Sequence, residues 1–186
     1  MIATKASRVV SAAKEHTVID FGLRRTQGTD AGMKAARCSY LAGCNGTSNV
    51  LAGLKYGIPL LGTMAYSYVM FFDKEIDAFR AFARSFLQNS TLLIDTYEDL
   101  KGAENAAIVA RELEKEGHRL SGVRLDSGNL VSLSRKVRSM LDVNGLAYVK
   151  IFASGDPDEY KIHELLSKGA KIDSFGVGMR MSTTHE

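Results

Sequence analysis

Residues 122–128, Gly122-Val123-Arg124-Leu125-Asp126-Ser127-Gly128, read as a short strand that runs into a polar turn closed by a glycine. Strand side chains repeat every two residues, so Arg124 and Asp126 share one face. Helical patterns lie on both sides of this strand. Before it, 103–117 places Ala106, Val109, Ala110 and Leu113 on one face, and after it 130–141 carries a second apolar stripe. A strand set between helices is the core of a βαβ unit, and such units build parallel sheets through right-handed crossovers.

The same reading extends outward. Strand-length apolar runs recur at 18–21, 58–61, 92–94, 148–152 and 174–177, with a seventh, short strand near 42–44. Helical patterns occupy 1–14, 50–56, 73–87 and 159–166, and Gly117 and Gly169 stand where helix C-caps belong. The expected class is α/β with about six to seven parallel strands. A doubly wound sheet and a barrel both satisfy the alternation. The strands are fewer than a complete β/α barrel needs. The chain also opens on a helix and stops at Thr184-His185-Glu186, just past a strand. These features predict one domain over 1–186 that looks truncated at both ends.

Composition narrows the partners. Lys plus Arg number 24 against 21 Asp plus Glu, a formal +3 spread evenly along the chain. That is no basic stripe for nucleic acid and no patch for a membrane surface, so small molecules are the expected ligands. The two cysteines, Cys38 and Cys44, lack metal-ligand spacing with any histidine and lack the disulfide-dense pattern of small secreted domains. No apolar run reaches the ~18 residues of a membrane span. A cytoplasmic location is expected.

In α/β folds ligands lie beyond the carboxyl ends of the strands, so those ends carry the chemical reading. The first ends in Gly22-Leu23-Arg24-Arg25, which is either an anion clamp or a solvated arginine pair. In the polar turn 43–49, Thr47 or Ser48 reads as a helix N-cap or as part of an anion cradle. Gly62-Thr63-Met64-Ala65-Tyr66-Ser67 clusters three hydroxyls, with Tyr66 either a packed aromatic or a site group. Asp95 ends another strand and competes between helix cap and site carboxylate. Arg124 and Asp126 are costly to bury without partners, which favours a polar site over a structural pair. Ser154-Gly155-Asp156 and Gly176-Val177-Gly178 supply glycine turns on the last two strands, the pattern of a phosphate site.

Taken in order, Asp20-Phe21-Gly22-Leu23-Arg24-Arg25, the stretch 46–53, Gly62-Thr63-Met64-Ala65, Leu93-Ile94-Asp95-Thr96-Tyr97, residues 122–128 and Phe175-Gly176-Val177-Gly178 closely resemble the nicotinate phosphoribosyltransferases. The resemblance spans nearly the whole chain. It implies most of an irregular β/α (TIM-type) barrel, with the family's N-terminal domain and the end of the barrel absent. It also implies an enzyme of NAD salvage, a glycosyltransferase and ligase that forms nicotinate mononucleotide and pyrophosphate from nicotinate and phosphoribosyl pyrophosphate. ATP would be a co-substrate, Mg2+ the cofactor and a homodimer the full-length assembly.

Residue by residue, the resemblance assigns Thr63, Arg124 and Arg25 to nicotinate. It assigns Ser154, Gly155, Asp156, Gly176, Gly178 and Met179 to phosphoribosyl pyrophosphate. Asp126 falls to catalysis and to Mg2+, and Tyr66 to the position of a catalytic histidine that ATP phosphorylates. A tyrosine there is a departure, because a phenol with a reference pKa of about 10 is a poor nucleophile at neutral pH. Met179 stands in place of a phosphate-binding threonine, and Asn129 in place of an acidic residue. Non-catalytic ligand binding, or transfer to nicotinamide or quinolinate, are the other readings.

Overall fold

The computed structural model describes residues 1–183; Thr184, His185 and Glu186, from which the truncated end is expected, lie outside the described residues. In chain order the elements are α1 (Ile2–Ala13), β1 (Thr17–Asp20), a 3-10 turn (Leu23–Arg25), α2 (Thr29–Leu41), β2 (Gly46–Thr47), α3 (Val50–Tyr56), α4 (Tyr66–Met70) and α5 (Glu75–Ser85). There follow β3 (Thr91–Leu93), α6 (Asp99–Lys115), β4 (Gly122–Leu125), α7 (Leu130–Val143), β5 (Lys150–Ala153), α8 (Glu159–Ser167), β6 (Ser174–Val177) and α9 (Met179–Ser182). The chain divides into two compact units. One holds Met1–Gly62, Ser154–Gly169 and the chain from Asp173, and the other holds Thr63–Ala153 with Ala170–Ile172.

In the first unit β1 is flanked by β2 and β6, both parallel to it, with Asp20 in register with Thr47 on one side and Val177 on the other. Helix α1 buries Ala6, Val9 and Ala13, a stripe at helical spacing, and packs on α2, α8 and α9. In the second unit β4 lies between β3 and β5, again all parallel, with Val123 opposite Leu92 and Ile151. Leu92, Leu93, Val123, Leu125 and Ile151 are fully buried, the run of apolar residues expected of parallel strands covered on both faces.

Helix α6 approaches this sheet closely through Gly102. A Cβ at that position would run into the Ile94 carbonyl, so only glycine allows the approach.

The strands read at 122–125 and 174–177 form with those bounds. The run 58–61 does not become a strand. Pro59 has no N–H to give a ladder, and only a single bridge between Leu60 and Thr47 forms there. The short strand expected near 42–44 forms later, at Gly46–Thr47, because Gly43 at φ 105 turns the chain first. The N-cap of α3 is Asn49, whose side chain accepts from Ala52 N–H, and not Thr47 or Ser48. Among the described residues no helix is long and apolar enough to cross a membrane.

Candidate active site

The second unit gathers residues from two strand ends and from the segment that leads into α4. Thr63 and Tyr66 enter α4, Asp95 follows β3, and β4 supplies Arg124 before delivering Asp126 and Ser127 to the turn beyond it. Arg124 donates from Nη1 to the Thr63 hydroxyl at 2.8 Å and from Nη2 to Asp126 Oδ1 at 2.6 Å. The strand alternation that put Arg124 and Asp126 on one face is thus realised as an ion pair, with side chains 12% and 20% exposed. A pair so far removed from water needs further hydrogen bonds to repay its desolvation, and it has them.

Thr63 accepts one from Arg124 and the Tyr66 hydroxyl faces Asp126 Oδ2, while the backbone just beyond the pair is held by Asp95, which is buried. Its Oδ2 accepts from Asp126 N–H at 2.7 Å, Ser127 N–H at 2.9 Å and the Ser127 hydroxyl at 3.0 Å. Its Oδ1 lies 3.2 Å from the Tyr66 hydroxyl, which also lies 3.4 Å from Asp126 Oδ2. One phenolic hydrogen is therefore shared between two carboxylates. Burial pushes the Tyr66 pKa up, and the charges of Asp95 and Asp126 push it further, with Arg124 opposing. Tyr66 stays a neutral donor and makes no phenolate at neutral pH.

Asp95 was ambiguous in sequence because an aspartate shortly before a helix reads as its cap. Helix α6 begins at Asp99, so the carboxylate is left for the site. Asn129 caps α7, its side chain accepting from Ser132 N–H.

The first unit holds the other expected residues. Ser154-Gly155-Asp156 makes a turn in which Gly155 has φ 90 and Asp156 φ 58, the first open to glycine and the second tolerated by aspartate. Asp156 Oδ1 accepts from Arg180 N–H at 3.2 Å, and Oδ2 stands 3.8 Å from Arg180 Nε. The turn after β5 is thereby joined to Gly178 and Met179 after β6. Arg180 escaped the sequence reading, although a cation two residues past Gly-x-Gly is a usable signal. Gly176 lies within β6 opposite Ile19. Arg25 is exposed on the 3-10 turn, its N–H donated to the Gly22 carbonyl. Asp20, buried, takes Gly22 N–H at 2.9 Å and the Thr47 hydroxyl at 2.7 Å.

Comparison with known proteins identifies the family and the fold. Nicotinate phosphoribosyltransferase pncB2 of Mycobacterium tuberculosis is 50% identical over 183 residues, covering 97% of this chain and 39% of its own length. Nicotinate phosphoribosyltransferase of Bacillus subtilis is 40% identical over 189 residues, covering 100% of this chain and 38% of its own. The crystal structure of human nicotinic acid phosphoribosyltransferase superposes with a TM-score of 0.88 at 29% identity, over 95% of this chain and 46% of that one. The α/β fold of incomplete-barrel type is thereby borne out, in a chain that spans about two-fifths of the length of these curated relatives. The family model of the nicotinate phosphoribosyltransferases matches residues 16–184, and the chain belongs to that family.

Proposed function

We propose that this chain carries the nicotinate end of a phosphoribosyltransferase site, in a protein that forms nicotinate mononucleotide and pyrophosphate. The observation that carries this reading is the Thr63–Arg124–Asp126 cluster. Thr63 and Asp126 fix the plane of the guanidinium, and a fixed guanidinium suits a planar carboxylate. The pyridine nitrogen attacks C1 of the ribose as the bond to pyrophosphate breaks, and positive charge develops on the sugar. The Asp126 carboxylate suits that charge. Arg25 belongs to the same substrate assignment. The glycine turns of the first unit, with Ser154, Gly155, Asp156, Gly176, Gly178 and Met179, are assigned to the phosphates of phosphoribosyl pyrophosphate.

Mg2+ fits this donor set. Asp126 Oδ1 is engaged by Arg124, and Oδ2 stands 3.4 Å from the Tyr66 hydroxyl. Among the described residues no group of three or more His, Cys, Asp or Glu is gathered. One carboxylate suits a Mg2+ that arrives on substrate phosphates and keeps its waters. Asp126 would hold it, and the ion would neutralise charge on the leaving pyrophosphate. ATP is retained as a co-substrate and a homodimer as the assembly of the whole protein. A phosphoryl group does not pass through residue 66, because its phenol is held protonated.

Incubation of the chain with nicotinate, phosphoribosyl pyrophosphate and Mg2+ tests this reading. Both substrates should bind, with little or no turnover from this chain alone. Robust nicotinate mononucleotide formation would contradict the partial-site reading, and failure to bind either substrate would contradict the assignment itself. Labelled ATP should leave Tyr66 unlabelled; label on that residue would show the phenol to be a nucleophile after all. Binding without turnover even in a family-length protein would support the alternative of a non-catalytic barrel, which the neutral Tyr66 favours.

A further inference from the structure

We infer that Asp95 is the positioning residue of the second unit's site, its carboxylate setting the turn after β4 and so the aim of Arg124 and Asp126. The inference rests on the reading of that cluster as a nicotinate site.

The sheet shows how the carboxylate enters. The pairs Leu92 with Val123 and Leu93 with Arg124 keep β3 and β4 in register, and Ile94 N–H donates to the Arg124 carbonyl at 3.1 Å. In a parallel ladder the next bond would run from Asp126 N–H back to the Ile94 carbonyl. It runs instead to Asp95 Oδ2, at 2.7 Å. A side chain has replaced a strand carbonyl at the last rung, and the same oxygen then draws in the N–H and hydroxyl of Ser127.

Three donors converging on one charged oxygen hold the backbone more firmly than neutral bonds do. They take over from the ladder where β4 ends, at Leu125. The other carboxylate oxygen reaches Tyr66, so the turn and the start of α4 are referred to one group. Asp126 in turn grips Arg124. Asp95 need touch no ligand to have this effect.

Amide hydrogen exchange on the isotope-labelled 186-residue chain, together with nicotinate calorimetry, tests the inference. In Asp95→Ala the Asp126 and Ser127 amides should exchange about tenfold faster, since each loses a charge-assisted bond. The Val123 and Leu125 amides should keep their rates. The Arg124 side-chain resonances should shift, and nicotinate affinity should fall about tenfold. Asp95→Asn keeps one oxygen for the three donors and should restore slow exchange and most of the affinity.

Uniformly faster exchange along β4, or unchanged exchange at 126 and 127, would overturn the inference. Altered exchange with unaltered nicotinate affinity would make Asp95 a structural residue only and overturn it equally. If the unaltered chain binds no nicotinate, the proposed function fails. The exchange rates and the Arg124 resonances then decide the positioning claim by themselves.

Discussion

Asp20 and Asp95 are the same residue at the ends of two parallel strands, both buried, and the structure uses them differently. Asp20 meets two donors, Gly22 N–H and the Thr47 hydroxyl, one on each oxygen. Both belong to the framework of the first unit. Burial raises its pKa, and the two hydrogen bonds lower it only in part. Asp95 meets four donor groups, and each of them belongs to Tyr66, Asp126 or Ser127. Burial alone does not separate the two carboxylates; the identity of their donors does.

The largest test of this contrast is Gly102→Ala. Its Cβ would collide with the Ile94 carbonyl, backbone against backbone, and α6 would have to leave the end of β3 that carries Asp95. A loss of about 3 kcal/mol in denaturant unfolding is expected, at the upper end of overpacking costs. A loss below about 1 kcal/mol would mean that the sheet end carrying Asp95 yields easily.

Thr47→Val addresses the other carboxylate. It removes the Oδ2 donor of Asp20 and the acceptor that Asn49 N–H uses at 3.1 Å. About 2 kcal/mol should be lost, with nicotinate binding unchanged, because Asp20 bonds framework groups and none of the residues proposed for nicotinate. A matching loss of nicotinate affinity would erase the distinction between the two residues.

The smallest effect is read as a pH dependence. The folded-state pKa of Asp20 lies above its ordinary value of 3.8, so folding favours the protonated form. That contribution is complete below the unfolded-state pKa and is lost as pH rises through the raised folded-state value. Asp20→Asn does not titrate. The stability difference between the two proteins should therefore move in favour of Asp20→Asn from acidic to neutral pH. Movement in the opposite direction would place Asp20 among carboxylates that the fold prefers charged.

Much of this fold is legible where one residue pattern suffices. The alternation through 122–128 places Arg124 and Asp126 on one face without any knowledge of partners, whereas the cap read at Thr47 or Ser48 lies at Asn49, because three polar residues in a row leave its position open. Helix α2 was not legible, because it buries Gly32, Ala35, Ala36 and Ser39 alongside Met33, and small residues leave no apolar stripe to count. The run 58–61 has strand composition, but Pro59 cannot join a ladder. Within the site, Thr63 lies 61 residues from the guanidinium it binds, a contact that local pattern does not carry. Asp95 was obscured for a different reason. Helix capping and site support ask for the same residue at nearly the same place, and only the start of α6 at Asp99 separates them.

The central claim is that the guanidinium held by Thr63 and Asp126 receives the carboxylate of nicotinate. Isothermal titration of the chain and of Arg124→Ala with nicotinate, nicotinamide and phosphoribosyl pyrophosphate tests it most directly. The account predicts that the unaltered chain prefers nicotinate to nicotinamide. Arg124→Ala should lose about tenfold or more of the nicotinate affinity, the worth of one charge-assisted contact, and leave phosphoribosyl pyrophosphate binding unchanged. Equal affinity for nicotinate and nicotinamide, or an Arg124→Ala protein that binds nicotinate as well as the original, would contradict it.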